Sequence, residues 1–208
     1  MTMPENLPEI LSDVSRETSE ALARYVALLE KWNKAINLVS KGTLADIWSR
    51  HIADSAQLLQ CLPGGATQWI DLGSGGGLPG LVLAILCREV APDLRFDLVE
   101  SDQRKATFLR QVSLELGLPV TVHAVRIERL SGLQGQVVSA RALAPLADLC
   151  GMAMPLLAPG GIGVFPKGAS APAEIEAAMQ HWRFDLERFP SITSENSEIL
   201  KLSNIRHV

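Results

Sequence analysis

The sequence predicts an α/β fold: a doubly wound, mostly parallel sheet preceded by an N-terminal helical extension. Three observations predict it. From about residue 69 onward, short apolar runs alternate with helical patterns, as parallel strands joined by crossover helices require. A glycine-rich turn, Asp71-Leu72-Gly73-Ser74-Gly75-Gly76-Gly77-Leu78-Pro79-Gly80, follows the first such run and opens a helix. Ahead of it, residues 16–36 set Leu22, Tyr25, Val26, Leu29, Trp32 and Ile36 at helical spacing. Residues 1–65 are therefore assigned to the extension and residues 66–208 to the sheet-bearing core.

Within the extension, Ser15 is placed to cap the first helix. After a turn around Asn37 to Gly42, Thr43 with Asp46 three residues on resembles a capping pair. Leu44, Ile47, Trp48, Ile52 and Leu59 then continue a second helical pattern up to the Pro63-Gly64-Gly65 break. Between Lys31 and His51, four basic residues (Lys31, Lys34, Lys41, Arg50) stand against one acid, Asp46. Such a face suits RNA phosphates, and an ordinary solvated helix face is the competing assignment. Trp32 and Trp48 sit at core spacing and are expected to pack inward rather than stack on bases.

Beyond the turn, Leu81 to Cys87 is helical, Arg95 to Val99 a strand, Gln103 to Leu116 a helix and Val120 to His123 a strand. Gln136 to Ser139 is a strand followed by a helix from about Pro145 to Leu157, and Gly161 to Phe165 is a strand after the Ala158-Pro159-Gly160 break. A helix around Pro172 to Gln180 and two β-like runs, Phe184 to Phe189 and Glu198 to Ile205, complete the chain.

Two ligands compete for the glycine turn. Gly75 to Gly80 is a literal G-x-G-x-x-G, the dinucleotide fingerprint. Read from Asp71, it is an acid followed by x-G-x-G-x-G, the pattern of S-adenosylmethionine (SAM) methyltransferases. The carboxylate at the strand's end favours SAM, because it would repel a pyrophosphate and suits a sulfonium and an ammonium. Either ligand would lie against bare backbone at Gly73 and Gly75.

In such sheets the ligand crosses the carboxyl ends of the strands, so the residues just after each strand are candidates. Glu100 follows the second strand and is suited to accept from both ribose hydroxyls of an adenosine. Ile127 and Glu128 follow the third, where an apolar side chain can cover an adenine and a carboxylate can accept from its amino group; a plain surface position beside Arg126 and Arg129 competes for them. Arg141 follows the fourth, nearest a methyl donor; a SAM carboxylate, a substrate phosphate and a structural ion pair compete for it. Lys167 closes the fifth, facing an RNA phosphate or plain solvent. Arg104, Lys105 and Arg110 form a second basic cluster on a helix. The four histidines show no metal-ligand spacing, so no metal is expected.

Composition excludes several classes. An apolar fraction of 47% with 20% charged residues over 208 residues describes one ordinary globular domain with a sizeable core, not a disordered chain. The net charge of −4 leaves any nucleic-acid contact to a local patch. Cys61, Cys87 and Cys150 are odd in number and set in apolar surroundings, which points to buried reduced thiols. Met1 to Ile10 lacks a basic and apolar leader, and no apolar run nears the ~20 residues that span a bilayer. A soluble, cytoplasmic protein is expected.

The ordered motifs resemble one family. Trp32-Asn33 with Asn37-Leu38, Ile47-Trp48-Ser49-Arg50-His51-Ile52 with Asp54-Ser55, and the turn ending Leu78-Pro79-Gly80 begin the match. Leu98-Val99-Glu100-Ser101, Phe108-Leu109, Leu116-Gly117-Leu118, Arg126-Ile127-Glu128, Ser139-Arg141-Ala142 and Lys167-Gly168 continue it. Together they resemble the bacterial small-subunit (16S) ribosomal RNA guanine-N7 methyltransferases, the RsmG or GidB family. The resemblance implies a Rossmann-like class I SAM-dependent methyltransferase acting on small-subunit ribosomal RNA or the small ribosomal subunit. The sequence leaves the oligomeric state open, and a monomer is the expectation. The resemblance implies SAM contacts at Gly73, Leu78, Ile127, Glu128 and Arg141, to which the strand-end argument adds Gly75 and Glu100. It also implies RNA docking along the extension's basic face, where Lys34, Arg50 and His51 are candidates; Lys167, at the end of the fifth strand, is a further one. Arg104 departs from the family's usual lysine, and the tail after residue 170 carries little of its pattern. An NAD-dependent oxidoreductase and a non-catalytic SAM- or RNA-binding module are the rival functions.

Overall fold

A computed structural model describes residues 9–208. The expected absence of a leader, and the start of the extension, fall up to Pro8 outside the described residues. The extension begins with helix α1 (Arg16–Asn33), whose first turn is capped by the Ser15 side chain accepting from Thr18 N–H. Its apolar stripe, with Leu22, Tyr25 and Leu29 fully buried, joins one hydrophobic cluster with the sheet. Trp32 and Trp48 are half-buried and pack on that cluster, Trp32 with its ring tilted on Phe108 at 5.7 Å.

The second helical stretch is not the regular helix that its periodicity predicts. A 3-10 turn at Lys41–Thr43 is followed by a π-helical stretch, Trp48–Ala53, a short α-helix α2 (Asp54–Ala56) and a 3-10 turn, Gln57–Cys61. Thr43 lies inside the first of these turns and caps nothing downstream; its hydroxyl meets His51. The physical reason is tertiary. His51, Asp54 and Gln57 each hold a partner outside the segment, and residues three apart drift by about 60° per step in a regular α-helix. Mixed winding keeps them together, as π-turns near functional sites commonly do.

The core alternates as expected: strand β1 (Gln68–Leu72), helix α3 (Gly80–Val90), β2 (Arg95–Val99), α4 (Gln103–Glu115), β3 (Val120–His123) and β4 (Gly135–Ala140). Helix α5 (Leu146–Ala153), β5 (Leu157–Lys167), α6 (Ala171–Ala178), β6 (Trp182–Pro190) and β7 (Glu198–His207) follow. The sheet order is β3-β2-β1-β4-β5-β7-β6, parallel through β5 and antiparallel at β7 and β6. Thus the tail's two β-like runs are a hairpin that extends the sheet. β6 alternates in burial and carries Arg183, Asp185, Glu187 and Arg188 on its run, which suits an edge strand that must not pair further.

Period-two alternation divides the core into two clusters. Trp69, Phe96, Leu98 and Val137 face α1, α3 and α4, while Ile70, Leu72, Val138 and Ala140 face α5 and the tail. The three cysteines are buried and free. Among the described residues, no helix is long and apolar enough to cross a membrane, and no cluster could hold a metal ion.

Candidate active site

The sheet's order reverses between β1 and β4, and the site is built there, where ligands sit in open α/β sheets. Register places Asp71 beside Ser139 on the neighbouring strand. Ser139 Oγ donates to Asp71 Oδ1 at 2.7 Å and accepts from Trp69 Nε1 at 2.8 Å, while Gly80 N–H donates to Asp71 Oδ2 at 3.2 Å. Asp71 is fully buried. This corrects the reason for which the sequence favours SAM: the carboxylate turns inward beneath the turn and does not face a ligand. Its bond to Gly80 N–H at the start of α3 fastens that helix to the strand's end, the packing role of the third glycine in such a turn.

Other contacts fix the turn. Tyr25 OH in α1 donates to Gly76 O at 2.6 Å, so the extension is tied to the ligand loop itself. Glu100 is 8% exposed and accepts from Gly75 N–H at 2.9 Å and Asp102 N–H at 2.7 Å, one on each carboxylate oxygen. Each oxygen retains a lone pair for a ribose hydroxyl. The chain leaves β4 through Ala142 at φ 52°, a left-handed conformation that costs a non-glycine residue ~1–2 kcal/mol. That turn lays Leu143 over Gly73: a Cβ at position 73 would meet Leu143 Cδ1 at 2.7 Å. Gly73 has φ +64°, so the backbone calls for glycine, while the exposed tip of Leu143 could turn aside from a methyl group.

Two cavities meet across Gly73, Gly75, Ala142 and Leu143. The smaller, about 370 Å³, is lined by Glu100, Ile127, Glu128 and Met152 among others. The larger, about 740 Å³, is a cleft lined by Arg50, His51, Asp54, Leu78, Arg141 and Lys167 among others. Every candidate residue from the sequence therefore lies at one of these two cavities except Lys34, which is exposed at the end of α1 and lines neither. Glu100, Ile127 and Glu128 gather at the smaller one; Gly73 and Gly75 form the shared wall.

The cleft's charges are more committed than the sequence suggests. Arg141 Nη1 lies 3.1 Å from Asp54 Oδ2, and its Nη2 is 3.2 Å from His51 Nδ1. The second ring nitrogen, Nε2, is 2.8 Å from Thr43 Oγ1. Burial, aided by the Arg141 charge, lowers the His51 pKa to about 4. His51 is thus a neutral link, with Nδ1 accepting from Arg141, and not a second cation beside the exposed Arg50. Lys167 Nζ is 2.7 Å from both Glu174 Oε2 and Ala144 O, and its side chain is 10% exposed, so its charge is matched within the fold.

Sequence reasoning gave no role to Tyr25, Asp54, Gln57, Leu143 or Glu174, all of which shape the site. The three-residue spacing of His51, Asp54 and Gln57 was a signal for two of them. Tyr25 carried none, because a tyrosine at core spacing is indistinguishable from packing until the loop carbonyl above it is known.

Acid titration of the site has opposing parts. Burial raises Asp71 from 3.8 to about 6, against the lowering effect of its hydrogen bonds and of Arg141. A raised carboxylate contributes stability that is full below its unfolded pKa and lost as pH rises through about 6. His51, lowered from 6.5, contributes stability that is full above that value and lost as pH falls through about 4. Asp71→Asn deletes the first effect only. Urea melts of this variant should show stability falling more steeply between pH 6.5 and 4 than in the native protein; parallel profiles would contradict the assignment.

With this geometry in hand, the chain can be placed among known proteins. The family model for rRNA small subunit methyltransferase G (GidB) matches residues 18–202. The chain belongs to that family. A ribosomal RNA small subunit methyltransferase G from Cereibacter sphaeroides is 54% identical over 196 residues, covering 94% of this chain and 95% of that relative. One from Parvibaculum lavamentivorans is 52% identical over 197 residues, covering 94% and 87%. Among solved structures, a putative O-methyltransferase from Klebsiella pneumoniae superposes with a TM-score of 0.58 at 12% identity, covering 93% of this chain and 92% of that one. The N-methyltransferase NodS from Bradyrhizobium japonicum, solved with S-adenosyl-L-homocysteine, gives 0.52 at 13% identity, covering 90% and 98%. At such identities these likenesses carry the fold, which is that of the Rossmann-like class I SAM-dependent methyltransferases.

Proposed function

We propose that this protein transfers a methyl group from SAM to N7 of a guanine in small-subunit (16S) ribosomal RNA. One observation carries the reading: a pocket lined by Glu100, Ile127 and Glu128 and a wider cleft lined by Arg50 and Arg141 meet across a glycine wall at the switch point of the sheet. Family membership supports the substrate class. SAM, when bound, supplies an electrophilic methyl group on a sulfonium. In this reading Glu100 accepts from the ribose hydroxyls, Ile127 covers the adenine with Glu128 at its edge, and Gly73 and Gly75 let the donor lie against backbone. Leu78 and Arg141 line the donor's methionine end. Arg50 meets phosphate at the cleft's rim, with Lys34 farther out on the same extension. His51 and Lys167 hold the walls.

Guanine N7 carries an in-plane lone pair and no proton, so the reaction needs no general base. What the chain must do is align N7 with the methyl carbon and exclude water, which is catalysis by proximity and orientation. N7 lies in the major groove, deep and narrow in A-form RNA, so a splayed-out base in a loop fits the cleft best. The division of labour follows the chain in part: the extension up to residue 65 supplies Arg50, His51 and Asp54 to the acceptor-facing wall, the tail adds Ser191, and the sheet-bearing core, residues 66–208, holds the donor. The protein works as a cytoplasmic monomer.

The test is transfer of tritiated methyl from SAM to unmodified small-subunit RNA, naked and in the assembled subunit. Label on one RNA position supports the reading; SAM binding with no label on either substrate overturns it. The single-turnover rate should also be flat from pH 6.5 to 9, because no proton is removed and His51 is already neutral. A tenfold rise per pH unit would reveal a general base and contradict the mechanism.

A further inference from the structure

We propose that Asp54 is a positioning residue for methyl transfer: it holds the Arg141 guanidinium at the donor end of the cleft and fastens the tail's 191–193 connection to the same carboxylate. The inference rests on the SAM reading above for what Arg141 does there.

Asp54 is the common acceptor of three donors from three parts of the chain. Arg141 Nη1 reaches Oδ2 at 3.1 Å, while Gln57 Nε2 and Thr193 Oγ1 both reach Oδ1 at 2.9 Å. An ionised carboxylate only accepts, so it can join an arginine, an amide and a hydroxyl whose donors cannot bond one another. The ion pair is shielded, with side chains 18% and 17% exposed, and is therefore screened less than a surface pair.

Gln57 completes the clamp. It is 1% exposed, its Nε2 also lies 3.1 Å from Ser191 Oγ, and its Oε1 accepts from Ile192 N–H at 3.0 Å. The connection between β6 and β7 is thereby pinned by its backbone to a segment more than a hundred residues earlier. Ser191 lines the cleft alongside Asp54, Gln57 and Arg141. The donor-facing arginine and the acceptor-facing tail are consequently set by one carboxylate. Asp54 and His51 occupy Nη1 and Nη2 of Arg141, so the guanidinium presents its remaining N–H groups to the cleft in a fixed orientation.

A double-mutant cycle tests this. Asp54→Asn keeps size and an acceptor for the tail but sets an amide against the guanidinium. It should lower the single-turnover rate about tenfold or more while the melting temperature stays within a few degrees. In an Arg141→Ala background the same substitution should change the rate less than twofold, since the group it positions is gone. An equal fall in both backgrounds would mark a merely structural role, and no fall in the native background would also overturn the proposal. Measuring SAM affinity calorimetrically in the same four proteins keeps the coupling testable if the native protein methylates no RNA, a result that would sink the functional reading instead. Thr193→Val removes only the tail's bond to Asp54. It should raise KM for RNA severalfold with SAM affinity unchanged; an unchanged KM would remove the tail from the proposal.

Discussion

Glu100→Ala is expected to weaken SAM binding by a factor of 100 or more, which corresponds to ~3 kcal/mol. Two losses combine. The ribose loses its acceptor, and the N–H groups of Gly75 and Asp102, which Glu100 receives at 2.9 and 2.7 Å, lose their partner in a site where Glu100 is only 8% exposed. An unsatisfied buried donor costs ~1–3 kcal/mol, so the glycine turn itself should relax away from its ligand-ready shape. Calorimetric titration with SAM checks the first effect. Glu100→Gln separates the two, because its one remaining carbonyl oxygen can serve one backbone N–H or one hydroxyl well, but not all of them. Binding within threefold of native by the alanine variant would show that the smaller cavity is not where adenosine lies.

Gly80→Ala should destabilise the fold by ~2–3 kcal/mol, as overpacking of a closed core does, lowering the melting temperature by about 5–10 °C for a chain of this size. A methyl group here would collide with Leu98 Cδ2, which is fully buried, and sit 2.8 Å from Asp71 Oδ2. Neither neighbour can yield freely, since Asp71 is fixed by Ser139 and Leu98 by the sheet's core. Gly42→Ala is the matched control, because nothing lies within 4 Å of its would-be Cβ. It should fall within ~0.5 kcal/mol of native. If Gly80→Ala is equally silent, α3 is not held against β1 and β2 in the manner described.

The fold and part of the site were legible in the chain because their signals are local. A strand such as Val120–His123 and a helix such as Gln103–Glu115 are written in periodicity, and the glycine turn in composition. Glu100 could be found from topology alone, as the residue that follows the second strand. The tail's place was not legible, since antiparallel addition of β7 beside β5 depends on contacts that cross the sheet and leave no mark in spacing. The cleft failed more instructively. Arg50 and His51 look like one basic pair in sequence, yet burial and Arg141 make His51 neutral and leave Arg50 alone as the exposed cation of the two. Asp71 likewise pointed to the right ligand through the wrong contact, because a carboxylate's direction is set by Ser139 and Gly80, partners 68 and 9 residues away.

The central claim is that the cleft delivers a methyl group to a guanine N7 by alignment alone. It is tested most directly by identifying the methylated nucleoside after reaction of the native protein with SAM and unmodified small-subunit RNA, followed by complete digestion and mass spectrometry. The account predicts 7-methylguanosine as the single new nucleoside. A methyl group on an exocyclic amine, a ring carbon or a ribose hydroxyl would contradict it, since each of those acceptors must lose a proton, a step that attack by N7 does not need.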